Sequence, residues 1–286
     1  MLSKNKIKSF LELARLDKPI GTYLLLWPSM LGLLLAGISH EIGIKNFIIV
    51  VIGSVIVRSC GCVINDISDY KIDKLVSRTV GRPLATGALS IYEAWGFFIF
   101  LGLVSLIILF FTNPFTMKIA ILFAFLIVLY PLTKRFFPAP QFFLGITFGS
   151  GSLIAYSLVS SDFTLSIILL YVGLIAWIIS FDTYYALEDM EDDIKIGINS
   201  TAILWGNAAV KVSRVLHLCF YISLLLIAML NSFSYFFFFI FVALLIIFIY
   251  QKILINDKKF LEAFKINNLV GILSVIGFAI EILILG

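Results

Sequence analysis

Residues 215–251 read VLHLCFYISLLLIAMLNSFSYFFFFIFVALLIIFIYQ, and this stretch decides the fold because it contains no Asp, Glu, Lys or Arg. A helix that spans the hydrocarbon core of a bilayer needs roughly 20 mostly apolar residues, so the stretch is too long for one spanning helix. The Asn-Ser-Phe-Ser sequence at 231–234 predicts a turn near its middle. The stretch therefore predicts two consecutive helices inside a membrane.

The composition of the whole chain agrees with a membrane environment. Of its 286 residues, 61% are apolar and 13% are charged, whereas soluble domains are about 45–50% apolar and about 25% charged. We therefore expect one all-α domain over residues 1–286, a polytopic bundle of about nine transmembrane helices. The predicted spans lie near residues 19–39, 46–64, 93–112, 116–133, 141–160, 163–182, 211–230, 233–251 and 268–286.

The few cysteines and histidines argue against several kinds of site. Cys60, Cys62 and Cys219 are too scattered for a disulfide framework, and Cys60 and Cys62 are interpreted as packing residues because no histidine lies near them. His40 and His217 are far apart, which argues against a zinc, haem or histidine-based catalytic site. The basic, polar N-terminus has no small-residue cleavage site, so no cleavable signal peptide is expected.

Lysine and arginine are distributed unequally between the two ends of the predicted spans. With the N-terminus in the cytoplasm, 19 of the 21 basic residues fall on the cytoplasmic side, and only Lys45 and Lys118 face out. The asymmetry follows the positive-inside rule, so we expect a cytoplasmic N-terminus, membrane lipid as a partner and no nucleic acid. Two long loops, near residues 65–92 and 183–210, are predicted on the cytoplasmic side.

Nine of the 17 acidic residues lie in two short regions, at 66–73 and 182–193. Each contains an Asp-x-x-x-Asp pair, Asp69/Asp73 and Asp189/Asp193. On a helix this spacing places two carboxylates on one face about 5–6 Å apart, where they repel each other without a counter-ion. Mg²⁺ prefers oxygen ligands and is usually completed by substrate phosphates. The pattern predicts a Mg²⁺ site that holds a diphosphate, and its candidate ligands are Asp66, Asp69, Asp73, Asp189 and Asp193.

Basic residues beside the acidic motifs are candidate diphosphate ligands. Arginine binds phosphate through a bidentate fork, and lysine binds it as a point charge. The alternatives are positive-inside anchoring for the basic residues and ordinary loop acidity for the carboxylates. We favour the ligand role because both kinds of charge gather at one end of the predicted bundle. The candidates are Arg78, Arg82, Lys134 and Arg135.

Arg58 lies inside the second predicted span, seven residues before Asn65 and so about 10 Å below the first acidic motif. A charge at this depth is costly unless it faces the interior of the bundle. Arg58 either pairs with an acidic residue or holds the carboxylate of an acidic substrate, and both roles stay open on these grounds.

The motifs resemble those of the UbiA family of intramembrane prenyltransferases. The resemblance rests on Asn65-Asp-x-x-Asp69-x-x-x-Asp73 after the second span, Asp189-x-x-x-Asp193 after the sixth, and the number of spans. It covers essentially the whole chain. Three flanking stretches resemble the branch of the family whose acceptor is 4-hydroxybenzoate; they are RLDKPIGTYLLLWP (15–28), RSCGCVIND (58–66) and DTYYALEDMEDDIKIGINSTA (182–202).

The resemblance implies Mg²⁺-dependent transfer of a polyprenyl group from polyprenyl diphosphate to 4-hydroxybenzoate, for ubiquinone biosynthesis, in the inner membrane of a bacterium. The substituted atom would be the ring carbon ortho to the hydroxyl. By carry-over, the catalytic Mg²⁺–diphosphate ligands are Asp69, Asp73, Asp189 and Asp193; the diphosphate contacts are Arg78, Lys134 and Arg135; and the acceptor contacts are Arg58 and Asn65.

Some features leave alternatives open. The second motif reads Glu188-Asp189-Met190-Glu191 where an apolar and then a basic residue are expected, and this charge change bears on metal or diphosphate affinity. Asp182 is a candidate for the base that removes the ring proton, or a structural hydrogen-bonding residue. Rival functions are a UbiA-type enzyme with a naphthoate, haem or chlorophyllide acceptor, and a divalent-cation transporter. The outer halves of the spans are nearly free of ionisable residues, which argues against a transport path.

Overall fold

The computed structural model describes residues 4–75, 79–133 and 136–285, and within these ranges the chain is helical with no β-strand. Short 3-10 turns at Asp73–Leu75 and Gly206–Ala208 accompany the α-helices. The α-helices are α1 (Lys4–Leu13), α2 (Ile20–Gly37), α3 (Ile44–Asp69), α4 (Pro83–Thr86), α5 (Ile91–Leu109), α6 (Pro114–Thr133), α7 (Pro140–Ser157), α8 (Leu165–Ile196), α9 (Thr201–Trp205), α10 (Ala209–Leu230), α11 (Tyr235–Asn256), α12 (Phe260–Lys265) and α13 (Asn267–Leu285).

Each of the nine predicted spans overlaps a long helix of the described chain. Seven helical segments of that part are long and apolar enough to cross a membrane, judged by length and composition. Helix α6 contributes a shorter apolar stretch, Pro114–Tyr130, and α7 carries glycine and serine along its middle. The prediction of an all-α bundle is confirmed, and the count of nine membrane crossings stays a prediction.

The helices that carry the acidic motifs extend beyond the predicted spans. The loop predicted at 183–210 is wrong in its first half, because α8 continues to Ile196. It ends at Gly197, whose φ of 77° is the left-handed conformation that glycine adopts without a steric penalty. Helix α3 likewise continues to Asp69. Loss of hydrophobicity marks where a helix leaves the apolar layer, and the helix itself ends only where its capping residues stop it.

Small residues let α2 and α7 approach closely. A Cβ built on Gly32 would overlap the backbone carbonyl of Ser152, and one built on Gly151 would overlap the hydroxyl of Ser29. Small residues at helix contacts are common in membrane proteins, because close backbone approach provides packing energy that the hydrophobic effect does not supply there. The contact fixes the spacing of two helices that line the central cavity.

The first and last long helices are tied together at the end of the bundle where α3 and α8 end, which we call the motif end. The Trp27 indole of α2 donates a hydrogen bond to Asn268 Oδ1 at 2.8 Å, and the Trp177 indole of α8 donates to Asn267 Oδ1 at 2.8 Å. Buried indole N–H groups need such partners. Because Asn267 and Asn268 are consecutive in α13, they fix the positions of α2 and α8 relative to each other.

Helix α1 packs against the motif end. Its Leu13 is fully buried, and its Lys6 forms an ion pair with Glu93 in the first turn of α5. Glu93 also completes a capping box with Ser90, which fixes where α5 begins. This packing places Arg15, just after α1, beside the acidic end of α3.

Candidate active site

A cavity of about 1300 Å³ runs from the motif end into the bundle, among α2, α3, α5, α6 and α7. Farther from the mouth its wall is mostly apolar. A cavity of this form, with a few polar groups converging at one end, is typical of a small-molecule site. Its mouth is lined by both acidic pairs, Asp69, Asp73, Asp189 and Asp193. The structure brings the two pairs to one mouth, and their catalytic role stays a prediction.

The two acidic pairs are built differently. Asp189 and Asp193 share one face of the uninterrupted helix α8, as the spacing predicts. Asp69 is the last residue of α3, whereas Asp73 lies beyond it in the 3-10 turn, so the expectation of one helix for this pair is wrong. The hydroxyl of Thr79 donates a hydrogen bond to the Asp73 carbonyl at 2.9 Å and holds this turn in place.

Asp66, a predicted metal ligand, is engaged by two arginines. It is 1% exposed, and Nη2 of Arg15 donates to both of its carboxylate oxygens at 2.9 Å. Nη1 of Arg82 donates to Asp66 Oδ1 at 3.1 Å. Arg15 has a φ of 57°, an uncommon backbone conformation for a residue with a side chain. In this arrangement Asp66 is the anion that holds two cations at the cavity mouth.

Arg82 joins the first acidic motif to the loop that follows it. Its Nη1 also donates to Asp73 Oδ2 at 2.8 Å and Oδ1 at 3.0 Å. Burial raises the pKa of Asp73 above its ordinary value of 3.8, the Arg82 guanidinium opposes this rise, and Asp66 and Asp69 add to it. Additional positive charge near these three buried carboxylates would stabilise their ionised forms.

The carboxylates at the mouth fit Mg²⁺ in the form that the ion usually takes at phosphate sites. Among the residues that the structure describes, no three His, Cys, Asp or Glu side chains form a ready-made metal cluster. Mg²⁺, however, keeps several waters and is generally held by one or two carboxylates together with substrate phosphates. Carboxylates from two separate segments that line one mouth, at 69–73 and 189–193, meet that requirement.

Arg58 and Asn65 both line the cavity, two helical turns apart on α3. The Arg58 guanidinium carbon lies 5.4 Å from the centre of the Phe148 ring on α7, within the range of a cation–π interaction. No salt bridge to Arg58 is found among the described residues. An inward-facing guanidinium at this depth is placed to bind an anionic group of a ligand.

Tyr130 of α6 and Asp182 of α8 line the same region of the cavity. The Tyr130 hydroxyl lies within electrostatic range of Asp182, Arg58 and Asp69. Asp182, Arg58 and Asp69 thus all lie near the Tyr130 hydroxyl in this part of the cavity. Three other predicted ligands, Arg78, Lys134 and Arg135, lie outside the described residues.

The sequence interpretation missed two residues that shape this site. In the sequence, Arg15 is one of many basic residues on the cytoplasmic side, and Gly21 is one residue of the stretch 15–28. Arg15 is separated from its partner Asp66 by 51 positions, so no local spacing reveals the pair. The sequence contains a weak indication for Gly21, because a glycine inside a predicted helix lowers helix stability and often has a packing explanation.

Comparison with known proteins identifies the family. Residues 25–270 match the UbiA prenyltransferase family. A 4-hydroxybenzoate octaprenyltransferase of Francisella tularensis subsp. tularensis (strain WY96-3418) is 38% identical over 292 aligned positions, which cover 99% of each chain. The chain therefore belongs to the UbiA prenyltransferase family, and with its apolar helices it is an integral multi-pass membrane protein.

Two solved structures show the same fold. A UbiA homologue from Aeropyrum pernix K1, in its apo form, superposes with a TM-score of 0.80 at 23% identity, covering 91% of this chain and 97% of that one. A UbiA homologue from Archaeoglobus fulgidus bound to GPP and Mg²⁺ superposes with a TM-score of 0.73 at 18% identity, covering 94% and 99%. At these identities the similarity establishes the fold.

Proposed function

We propose that this chain transfers a polyprenyl group from polyprenyl diphosphate to 4-hydroxybenzoate, at the ring carbon ortho to the hydroxyl, in ubiquinone biosynthesis. The observation that carries the proposal is one cavity with two acidic motifs at its mouth and Arg58 two turns deeper on α3. This spacing suits a diphosphate at the mouth and a carboxylate below it. The full-length similarity to the Francisella tularensis octaprenyltransferase supports the same acceptor.

The residues at the mouth would hold the diphosphate together with Mg²⁺. We assign the metal to Asp69, Asp73, Asp189 and Asp193, which line the mouth. The similar fold bound to GPP and Mg²⁺ in Archaeoglobus fulgidus supports the use of Mg²⁺. When bound, Mg²⁺ would act as a Lewis acid that stabilises negative charge on the leaving diphosphate. Arg82 would add positive charge by turning from Asp73 toward the diphosphate oxygens, and Arg78, Lys134 and Arg135 are assigned the same role.

The proposed reaction breaks the bond between the allylic carbon and the diphosphate oxygen, and the diphosphate keeps the electron pair. The ring carbon ortho to the phenol forms the new carbon–carbon bond, and the ring then loses a proton. The aromatic faces of Tyr130 and Tyr185 line the cavity where positive charge would develop on the allylic group. Asp182 is assigned as the base because it lines this region.

The acceptor would lie deeper than the diphosphate. We assign its carboxylate to Arg58, whose planar fork matches a carboxylate, and a second acceptor contact to Asn65. The polyprenyl chain would follow the apolar wall, because its tail is as apolar as the bilayer itself. The distribution of basic residues supports placing the N-terminus and the motif end in the cytoplasm, with the chain as one domain of the inner membrane.

A transfer assay tests the proposed function. Membranes that contain the protein receive radiolabelled 4-hydroxybenzoate, a polyprenyl diphosphate and Mg²⁺, with EDTA in a parallel sample. We expect lipid-extractable label that disappears with EDTA. Folded protein that leaves the label in the aqueous phase, but transfers a prenyl group to a naphthoate, haem or chlorophyllide, would contradict the assigned acceptor. Mg²⁺ flux into liposomes without any prenyl transfer would contradict the enzyme assignment.

Filling the apolar part of the cavity with a large side chain should reduce the transfer of long polyprenyl groups more than that of short ones. Gly53 of α3 lines the cavity about 7.5 Å from Arg58 along the helix, away from the mouth, and nothing lies within 4 Å of a Cβ built on it. In Gly53→Phe the ring would fill this space, so we expect transfer of octaprenyl diphosphate to fall by at least about tenfold relative to geranyl diphosphate, a difference of about 1.4 kcal/mol. Kinetics with both donors would measure this ratio. Gly96→Phe is the control, because Gly96 is exposed and also has open space around it; equal loss with both donors would contradict the chain path.

A further inference from the structure

The guanidinium of Arg58 has two close neighbours that do not bind it through hydrogen bonds. One is Gly21, the second residue of α2. The other is the ring of Phe148 on α7, whose centre is 5.4 Å from the guanidinium carbon. Both residues line the cavity, as Arg58 itself does. We call this arrangement of Gly21 and Phe148 around Arg58 the guanidinium slot.

The glycine side of the slot leaves no room for a side chain. A Cβ built on Gly21 would lie 2.5 Å from Nη2 of Arg58, 2.9 Å from Nε and 3.1 Å from the guanidinium carbon. These distances are shorter than van der Waals contact. The three nearest atoms that this Cβ would meet all belong to the Arg58 side chain, and none belongs to a backbone. Adding a methyl group would therefore displace the guanidinium and leave the helices where they are.

Phe148 restricts the guanidinium by contact between its aromatic ring and the planar cationic group. An aromatic ring attracts a guanidinium over its face, and this restricts the rotation of a long, flexible side chain. The Nε atom of Arg58 is buried and has no hydrogen-bond partner within the described part of the chain. The orientation of Arg58 is therefore determined by contact with its two neighbours rather than by an ion pair.

We propose that Gly21, together with Phe148, is a positioning residue that fixes the guanidinium fork of Arg58 for the carboxylate of the aromatic acceptor. The inference rests on the proposed function, since it assumes that Arg58 receives this carboxylate. A bidentate contact needs the fork in one orientation before the ligand arrives, and preorganisation of this kind increases affinity without adding a contact. Alanine would be the better helix former at position 21, so a glycine here is explained by the space that Arg58 occupies.

Gly21→Ala tests the inference through the Michaelis constants of the two substrates. We expect KM for 4-hydroxybenzoate to rise at least about tenfold, which corresponds to 1.4 kcal/mol. KM for the polyprenyl diphosphate and kcat at saturating acceptor should stay within about twofold, because the mouth is unchanged. Gly96→Ala is the matched control, since Gly96 is also helical but exposed and has nothing within 4 Å of its built Cβ. A variant in which both Michaelis constants rise equally, or neither changes, would overturn the inference.

A double-mutant cycle separates positioning from a general structural effect. Arg58→Lys keeps the charge but removes the fork, so Gly21→Ala should raise the acceptor KM much less in that background than in the wild type. Phe148→Leu removes the other side of the slot and should reproduce the selective rise in acceptor KM. Additive effects of Gly21→Ala and Arg58→Lys, or a rise in donor KM with Phe148→Leu, would contradict the slot. Failure of the wild type to use 4-hydroxybenzoate would instead contradict the proposed function.

Discussion

Replacing Asp189 with alanine should abolish prenyl transfer while the helix bundle stays folded. Asp189 is a half-buried residue of α8 that lines the cavity mouth, where its carboxylate is assigned to the metal-bound diphosphate. Removing a group that stabilises charge in a transition state typically costs about 10²–10³-fold in kcat. We expect a loss of at least this size for Asp189→Ala, and likewise for Asp69→Ala on the opposite motif. The initial rate of label transfer in purified, detergent-solubilised protein measures the effect.

The control for this prediction lies two residues away on the same helix. Glu191 is exposed, and it is not among the residues that line the cavity. Glu191→Ala changes the net charge of the motif by the same amount and should keep most of the activity. Full activity of Asp189→Ala in folded protein would eliminate the metal–diphosphate assignment. Equal losses in both variants would show that the total charge of α8 matters rather than the position of one carboxylate.

Replacing Asp66 with alanine should destabilise the folded protein strongly. Asp66 is buried and accepts hydrogen bonds from Arg15 and Arg82, so its removal leaves two partly buried guanidinium groups without their shared anion. Breaking a buried ion pair by removing one partner typically costs about 3–5 kcal/mol. We therefore expect a markedly lower Tm for Asp66→Ala in detergent. Thermal unfolding followed by circular dichroism would measure it.

This measurement also tests the prediction that Asp66 is a metal ligand. A ligand role would leave the Tm of the metal-free protein nearly unchanged and would raise the Mg²⁺ concentration needed for half-maximal activity. Glu41→Ala is a suitable control, because Glu41 is an exposed acid in the connection before α3 and changes the net charge equally. The structure favours the ion-pair result, since both Asp66 oxygens are already bonded to Arg15.

The two predictions distinguish two kinds of acidic residue at the cavity mouth. Asp66 is enclosed and neutralised within the protein, whereas Asp189 and Asp193 lie half-buried along the cavity on a helix that extends beyond the apolar layer. A carboxylate with internal cations stabilises the fold. A carboxylate that faces a cavity keeps oxygen atoms available for a metal ion and its waters. The residue type is the same, and the surroundings decide its role.

Much of the fold could be predicted from the sequence. A charge-free stretch such as residues 215–251 has few alternatives to membrane helices, because unpaired backbone groups are costly in lipid. The same reasoning located every long helix of the described chain, with the largest error at the polar extension of α8 and errors of five residues at the ends of α3 and α11. The Asp-x-x-x-Asp spacing also predicted a shared helical face correctly for Asp189 and Asp193, but not for Asp69 and Asp73, which a turn separates.

By itself, then, the sequence determined the membrane environment, the helical class and the two acidic pairs, because hydropathy and i, i+4 spacing are local properties of a chain. Only the tertiary structure decided the partners of those residues. Arg15 reaches Asp66 across 51 positions, and Gly21 of α2 meets Arg58 of α3 only because the two helices pack together. Such contacts depend on how the helices pack against each other. The spacing of residues along the chain does not reveal which side chains then meet.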